Sequence, residues 1–288
     1  MNKFKETSFK SVTYLASLFT IVFLFAIILS IFYEGIPIFK HVSLIKFLTS
    51  PSWHPTHFPP DFGILSLIAG SFLVTLGALI ISIPLGLGSA IYISELAGPT
   101  SKEILKPVIE LLASIPSVVY GLFGMAFLSP LLIKIFHVPT GLNIFSASII
   151  LGIMVVPIIS SMSEDALSTV PKSLREASLA LGANKWETII RVVVPAAKSG
   201  IFSSIILGFG RAIGETMVVL MVAGGAAQIP KGLFQPVRPM PAAIAAEMGE
   251  TVIGSPHFHA LYGISIILFT VTFISILITE FIVHRRKK

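Results

Sequence analysis

Between Lys10 and Glu34 the chain runs from Ser11 to Tyr33 without a single charge. At about 1.5 Å of helix rise per residue, such a run covers the ~30 Å hydrocarbon core of a bilayer. It is too long for the apolar part of a signal peptide, and no small-x-small cleavage site follows it, so a retained anchor helix is expected. Five more apolar stretches follow. The second is placed at Ile64–Ile91, with a kink at Pro84. The third is Leu111–Ile133, with Pro116 near its start, and the fourth is Phe145–Ser161, with Pro157 near its end. The fifth, Ile201–Gly224, is interrupted by Arg211 and Glu215, and the sixth is Leu261–Val283. An all-α, polytopic membrane protein with six transmembrane helices is expected.

Composition agrees with this reading. Charged residues make up 12% of the 288 positions and apolar residues 54%, whereas soluble domains carry about 25% charged residues. A disordered chain, a disulfide-stapled secreted scaffold and a cytosolic Rossmann-type enzyme are thereby disfavoured. The absence of Cys removes disulfides, zinc-thiolate sites and a Cys nucleophile. The formal charge of +6 follows from topology. With the N-terminus inside, 14 of the 20 Lys and Arg fall on cytoplasmic segments, among them Lys102, Lys106, Lys172, Arg175 and the terminal run Arg285–Lys288. Lys40, Lys46, Lys134, Lys231 and Arg238 fall outside. By the positive-inside rule both termini are cytoplasmic, as an even number of crossings requires. No basic run interleaved with aromatics suggests nucleic-acid binding.

The longest cytoplasmic connection is residues 163–200. Within it Leu174, Ala177, Ser178 and Leu181 recur at helical spacing, and Gly182 is placed to end that helix. Ser173 and Glu176 have capping-box spacing, with Pro171 as an alternative first residue. Asn184 and Glu187 repeat the cap signal for a second short helix, whose stripe is Trp186, Ile189, Ile190 and Val193 and whose expected end is Pro195. An apolar stripe outside the membrane needs a partner. Lying flat on the bilayer, or packing beneath its own bundle, would satisfy the pattern as well as a second protein would.

In this loop Glu176-Ala177-Ser178, three residues, Gly182, nine residues, then Val192-x-Val194-Pro195 resembles the EAA signature of ABC-importer permeases. Ser178, Val192 and Val194 are conservative departures from the consensus. Glu110–Gly124 (ELLASIPSVVYGLFG) and Arg211–Met217 (RAIGETM) are similar to the phosphate-specific permeases, PstC-like more than PstA-like. The resemblance covers about Pro60 to Val283. It implies the type I importer permease fold, with residues 1–59 an anchor helix and external segment and residues 60–288 the transmembrane permease domain. It also implies a coupling helix in the 163–200 loop, with Glu176, Ala177, Leu181, Gly182 and Ala183 docking on an ATP-hydrolysing subunit. The implied partners are two such subunits using ATP and Mg, a second, PstA-like permease subunit and an extracytoplasmic phosphate-binding protein. The implied location is the cytoplasmic (inner) membrane of a prokaryote.

Arg211 and Glu215 stand four residues apart on one helix face and can pair. A charge at mid-bilayer costs roughly 2.5–3.5 kcal/mol on insertion scales, so neither should face lipid. A salt bridge that only seats the helix would explain them. The alternative is a substrate path, in which Arg211 meets an oxyanion and Glu215 tethers or gates it, with Thr216, Ser114 and Ser117 supplying hydroxyls. Gly210 and Gly214 would admit a close neighbouring helix. His54 and His57, and His257 and His259, lack a carboxylate at ligand spacing, so no metal and no cofactor bound by this chain is expected. Glu247 and Glu250 are expected on a solvated external helix, and Glu164 and Asp165 on a cytoplasmic helix extension without chemistry. No Walker A sequence and no G-x-S-x-G elbow is present. These absences favour a permease over an enzyme, and the resemblance implies import of inorganic phosphate. Tungstate, molybdate or sulfate are alternative substrates, and a membrane-embedded enzyme is a remote alternative.

Overall fold

The computed structural model describes residues 3–284, so Arg285, Arg286, Lys287 and Lys288 of the basic count lie outside the described residues, as do the side chains of Lys3 and Lys5. The chain opens with α1 (Lys3–Gly35), a 3-10 turn at Ile36–Lys40 and α2 (Leu44–Thr49). A two-strand antiparallel hairpin follows, β1 (Trp53–His54) with β2 (Asp61–Phe62), pairing Trp53 with Phe62. Then come α3 (Leu65–Ile91), α4 (Pro99–Ser114), α5 (Ser117–Phe123), α6 (Ser129–Phe136) and α7 (Ile144–Ser168). The second half comprises α8 (Lys172–Ala180), α9 (Lys185–Thr188), α10 (Val194–Ala196), α11 (Lys198–Ile213), α12 (Met217–Val222), α13 (Met240–Glu247) and α14 (Pro256–His284).

Five helical segments are long and apolar enough to cross a membrane: Phe9–Lys40, Leu65–Leu96, Ser117–Phe136, Ile144–Ser168 and Pro256–Ile278. A sixth crossing is assembled from pieces. Lys185–Ala196 and Lys198–Ile213 meet at a 70° bend. The 16 residues of α11 rise about 24 Å, short of a full crossing, and α12 continues after a break at Gly214–Thr216. The expected single helix Ile201–Gly224 is thus two half-helices.

The core of the bundle is α3 against α7. Gly86 lies against Ile159, where a Cβ would come within 2.8 Å of its Cγ2 atom, and the Ser148 hydroxyl donates to the Val74 carbonyl at 3.3 Å. Small residues let the two backbones approach, which is how helices associate where lipid removes the hydrophobic drive. Helix α11 packs on α7, and α14 on α11 and α1. A second core caps the external side. There Ile38, Phe47, Trp53 and Phe62 pack with Met240, Ala243, Leu261 and Ile264, so the 36–62 segment is fastened to α13 and α14.

Two expected boundaries are corrected. Leu111 to Ser114 belong to α4, an amphipathic helix with no buried residue, and the third crossing begins at Ser117. The cause is Pro116, which holds Ile115 in extended backbone (φ −63, ψ 128) and so separates the two helices. Pro195 does not end its helix. The helix widens into a π turn at Ile189–Val193, passes through Pro195 and breaks at Ala197. The expected stripe is split in burial: Ile189 and Val193 are buried, while Trp186 and Ile190 are exposed.

Candidate functional site

Within the break of the fifth crossing, between α11 and α12, a half-helix begins with backbone N–H groups that have no helical partner, and each unpaired group in hydrocarbon costs several kcal/mol. Glu215 meets that need. Its Oε1 atom accepts from the N–H of Met217 at 3.1 Å and of Val218 at 3.3 Å, and α12 starts beneath it with its dipole favouring the negative charge. The other oxygen, Oε2, lies 3.3 Å from the Arg211 guanidinium. The two side chains differ in exposure: Glu215 is 2% exposed and Arg211 49%. Glu215 is thus fully used inside the protein as a cap, while Arg211 is held by one edge and turns its remaining donors to an open side. Gly210 has nothing within 4 Å of where a Cβ would stand, so within this chain that face is also open.

The third crossing supplies the neighbouring wall. Helix α5 packs on α12, with Met221 filling the space beside Gly121 and Val222 that beside Gly124. Each of the two helices begins after a break in the helical chain, and Ser117 and Thr216 sit at the two starts. Ser117 and Thr216 are half-buried, but the exposed Ser114 hydroxyl is turned back onto the Leu111 carbonyl at 2.7 Å. Tyr120 bridges the α4–α5 break by donating to the Leu112 carbonyl at 2.9 Å.

On the cytoplasmic side α8 has no buried residue. Its first helical residue is Lys172, so Ser173 is not the cap. Gly182 takes φ +86, a conformation L side chains rarely adopt, and its N–H donates to the Leu179 carbonyl at 3.0 Å. The capping box at Asn184 and Glu187 is formed, with both hydrogen bonds at 2.9 Å. Leu174, Ala177, Ser178 and Leu181 line one open groove of about 570 Å³, together with Gly182, Ala183 and Arg191. The stripe therefore lines an open groove against the α9 segment, with Leu174, Ala177 and Leu181 exposed. Glu176, Ala177, Leu181 and Gly182 are exposed and Ala183 is half-buried.

Three charged clusters were not singled out by the sequence pattern. Glu164, expected on a cytoplasmic helix extension without chemistry, is 3% exposed and is clasped by Lys102 at 2.9 Å and Lys106 at 2.7 Å, which pins α4 to α7. The lysines' i, i+4 spacing was the available signal. The hydrogen bond to Glu164 holds the Lys106 ammonium above the ordinary lysine range. The raised lysine value means that its contribution is lost as pH rises past that range, and Glu164 loses its own as acidification protonates the carboxylate, so the clasp persists at physiological pH. Glu247, expected to be solvated, accepts from Trp53 Nε1 at 3.1 and 3.0 Å, meets His257 Nε2 at 2.8 Å and pairs with Arg238. It ties the external hairpin to α13 and α14, through contacts far apart in sequence. Glu95, at the cytoplasmic end of the second crossing, pairs with Arg175 of α8. Among the described residues no group of three or more His, Cys, Asp or Glu is arranged to hold a metal ion.

Residues 82–288 match the family described as binding-protein-dependent transport system inner membrane component. A probable ABC transporter permease protein of Bacillus subtilis, YqgH, is 41% identical over 85% of this chain and 80% of its own length. The phosphate transport system permease protein PstC of Mesorhizobium japonicum is 34% identical over 97% of this chain and 90% of its own. Among solved structures, a bacterial alginate ABC transporter in complex with alginate pentasaccharide-bound periplasmic protein superposes with a TM-score of 0.66. It covers 100% of this chain and 99% of the matched one at 16% identity, a likeness of fold.

Proposed function

Since the chain belongs to the family of binding-protein-dependent transport system inner membrane components, we propose that it is the membrane permease subunit of an ATP-driven importer of inorganic phosphate. The observation that carries the substrate class is the half-exposed Arg211 guanidinium, seated at membrane depth by a carboxylate already occupied as a helix cap. A guanidinium offers planar, paired donors suited to a tetrahedral oxyanion. The relatives named PstC favour phosphate within that class.

In this reading Arg211, Thr216 and Ser117 line the path where α12 and α5 begin, and Ser114 stands at the cytoplasmic approach to it. Glu215 holds Arg211 in place and keeps the half-helix satisfied. Glu176, Ala177, Leu181, Gly182 and Ala183 form the face that docks on an ATPase. Importing an anion against an inside-negative potential costs roughly 2.3 kcal/mol per charge per 100 mV. ATP and Mg, used by two partner subunits, supply that energy, and this chain binds no cofactor itself. A PstA-like second permease subunit completes the path, and an extracytoplasmic binding protein delivers phosphate to the outer face. The assembly sits in the cytoplasmic (inner) membrane of a prokaryote, with 163–200 as its coupling loop.

Competition tests the substrate. With binding protein, ATPase and both permease subunits in vesicles, about 100-fold excess sulfate, molybdate or tungstate should leave labelled-phosphate uptake within about twofold, since a site built for one oxyanion rejects another by several kcal/mol of unmet hydrogen bonds. Uptake of labelled molybdate, tungstate or sulfate in preference to phosphate would replace the substrate while leaving the importer reading in place.

A further inference from the structure

Helix α8 is joined covalently to the fourth crossing through Ser168 to Pro171, and to the α9 segment by the Ser178–Thr188 hydroxyl contact at 2.9 Å. Its connection to the second crossing is of another kind. An open cavity of about 420 Å³ separates the two, lined by Ser94, Glu95, Ser168, Arg175 and Glu176. One side chain spans it. Arg175 donates from its Nη2 atom to Glu95 Oε1 at 2.6 Å and from Nε to Glu95 Oε2 at 3.1 Å, a two-pronged pair. The same guanidinium donates to the Leu167 carbonyl in the last turn of α7 at 3.0 Å and to the Val170 carbonyl just beyond that helix. Ser94 fixes the carboxylate by donating to Glu95 Oε1 at 3.0 Å. Glu95 itself lies in the π turn Tyr92–Leu96 that ends the second crossing, a local widening of the kind that accumulates at functional positions.

We propose that the Arg175–Glu95 pair is the strut that carries movement of α8 to the second crossing, which makes both of them positioning residues for transport. The inference rests on reading α8 as the ATPase-docking helix. Among the described residues, Arg175 is the one α8 side chain that bonds to the Tyr92–Leu96 turn. Four bonds from one planar group, two to Glu95 at the end of the second crossing and one each to Leu167 in α7 and Val170 just after it, define a rigid connection, since a guanidinium fork fixes direction as well as distance. Helix α3 packs along α7 through the core, so displacing the ends of both together moves the bundle as a unit. Without the strut, the cytoplasmic end of the second crossing would follow α8 only indirectly, through its packing on α7. Arg175 touches neither substrate nor nucleotide in this scheme. Its loss should appear in the ratio of ATP hydrolysed to phosphate moved, rather than in either binding step.

The test uses the complete complex, with binding protein, in vesicles, and reads ATP hydrolysis and labelled-phosphate uptake together. Arg175→Ala should co-purify with the ATPase and hydrolyse ATP at the basal rate, while uptake falls about 10-fold and ATP used per phosphate rises by a similar factor, within the usual range of coupling between sites. Arg175→Lys, which keeps the charge but loses the fork, should fall between parent and Arg175→Ala, and it decides the matter if the alanine variant does not assemble. The exchanged pair Glu95→Arg with Arg175→Glu should recover part of the uptake. Unchanged uptake in Arg175→Ala would overturn the strut. So would a proportional loss of hydrolysis and uptake with no recovery in the exchanged pair, the mark of a residue needed only for folding. If the parent complex moves no phosphate, that failure belongs to the substrate reading. The strut is then judged by hydrolysis stimulated by binding protein: its loss in Arg175→Ala supports the strut, and its retention refutes it.

Discussion

Replacing Arg211 with alanine is expected to reduce phosphate uptake by about 100-fold or more. That equals about 2.7 kcal/mol, the range measured when a charged hydrogen-bonding partner is removed. Among the described residues Arg211 is the basic side chain placed away from the ends of the crossings, and about half of its surface is open. An anion at that depth would meet no comparable charge in this chain once it is gone. The substitution also leaves the buried Glu215 carboxyl without its cationic partner, which by itself destabilises the fold. The double variant Arg211→Ala with Glu215→Gln separates the two effects. A glutamine oxygen still accepts from the N–H groups of Met217 and Val218, so the start of α12 is kept without the charge. The double variant should assemble normally and still fail to transport. Assembly is read by co-purification with the ATPase, and transport by labelled phosphate in vesicles. Recovery of uptake in the double variant would reduce the pair to a helix-seating salt bridge.

Gly182→Pro is expected to uncouple ATP hydrolysis from transport. Proline holds φ near −65° and has no N–H, whereas Gly182 sits at φ +86 and donates to Leu179. Both the turn and the closing hydrogen bond of α8 are lost, so the α8–α9 angle that shapes the docking groove cannot be kept. Gly182→Ala provides the contrast. A Cβ there has nothing within 4 Å, so alanine suffers only the left-handed backbone strain of roughly 1 kcal/mol. The alanine variant should keep most of its uptake and the proline variant should lose about 30-fold or more, with hydrolysis persisting. Full transport by Gly182→Pro would remove α8 from the coupling role.

Much of this architecture is legible in the sequence, because a crossing is specified by local composition. The uncharged run at Ser11–Tyr33 lies within α1, and Asn184 with Glu187 closes as its spacing suggests. What escaped is non-local or depends on a break. Glu247 looks like any exposed helix carboxylate until Trp53, 194 positions away, is folded against it. Glu164 reads as part of a cytoplasmic helix extension without chemistry until Lys102 and Lys106 arrive from α4. The division of Ile201–Gly224 has a faint signal in Gly214-Glu215-Thr216. Its meaning, a carboxylate that caps a half-helix in hydrocarbon, appears only once the N–H groups of Met217 and Val218 point at it. Proline misled in both directions, because Pro116 separates two helices whereas Pro195 is absorbed by a π turn.

The most direct measurement of the central claim is labelled-phosphate uptake by vesicles holding this chain, a PstA-like second subunit and the ATPase, with ATP and the phosphate-binding protein each present or omitted. Uptake that needs both, and that accumulates phosphate against its gradient, is the result expected of an ATP-driven phosphate permease. Uptake that proceeds equally without ATP, or that never appears although the complex assembles and hydrolyses ATP, would contradict it.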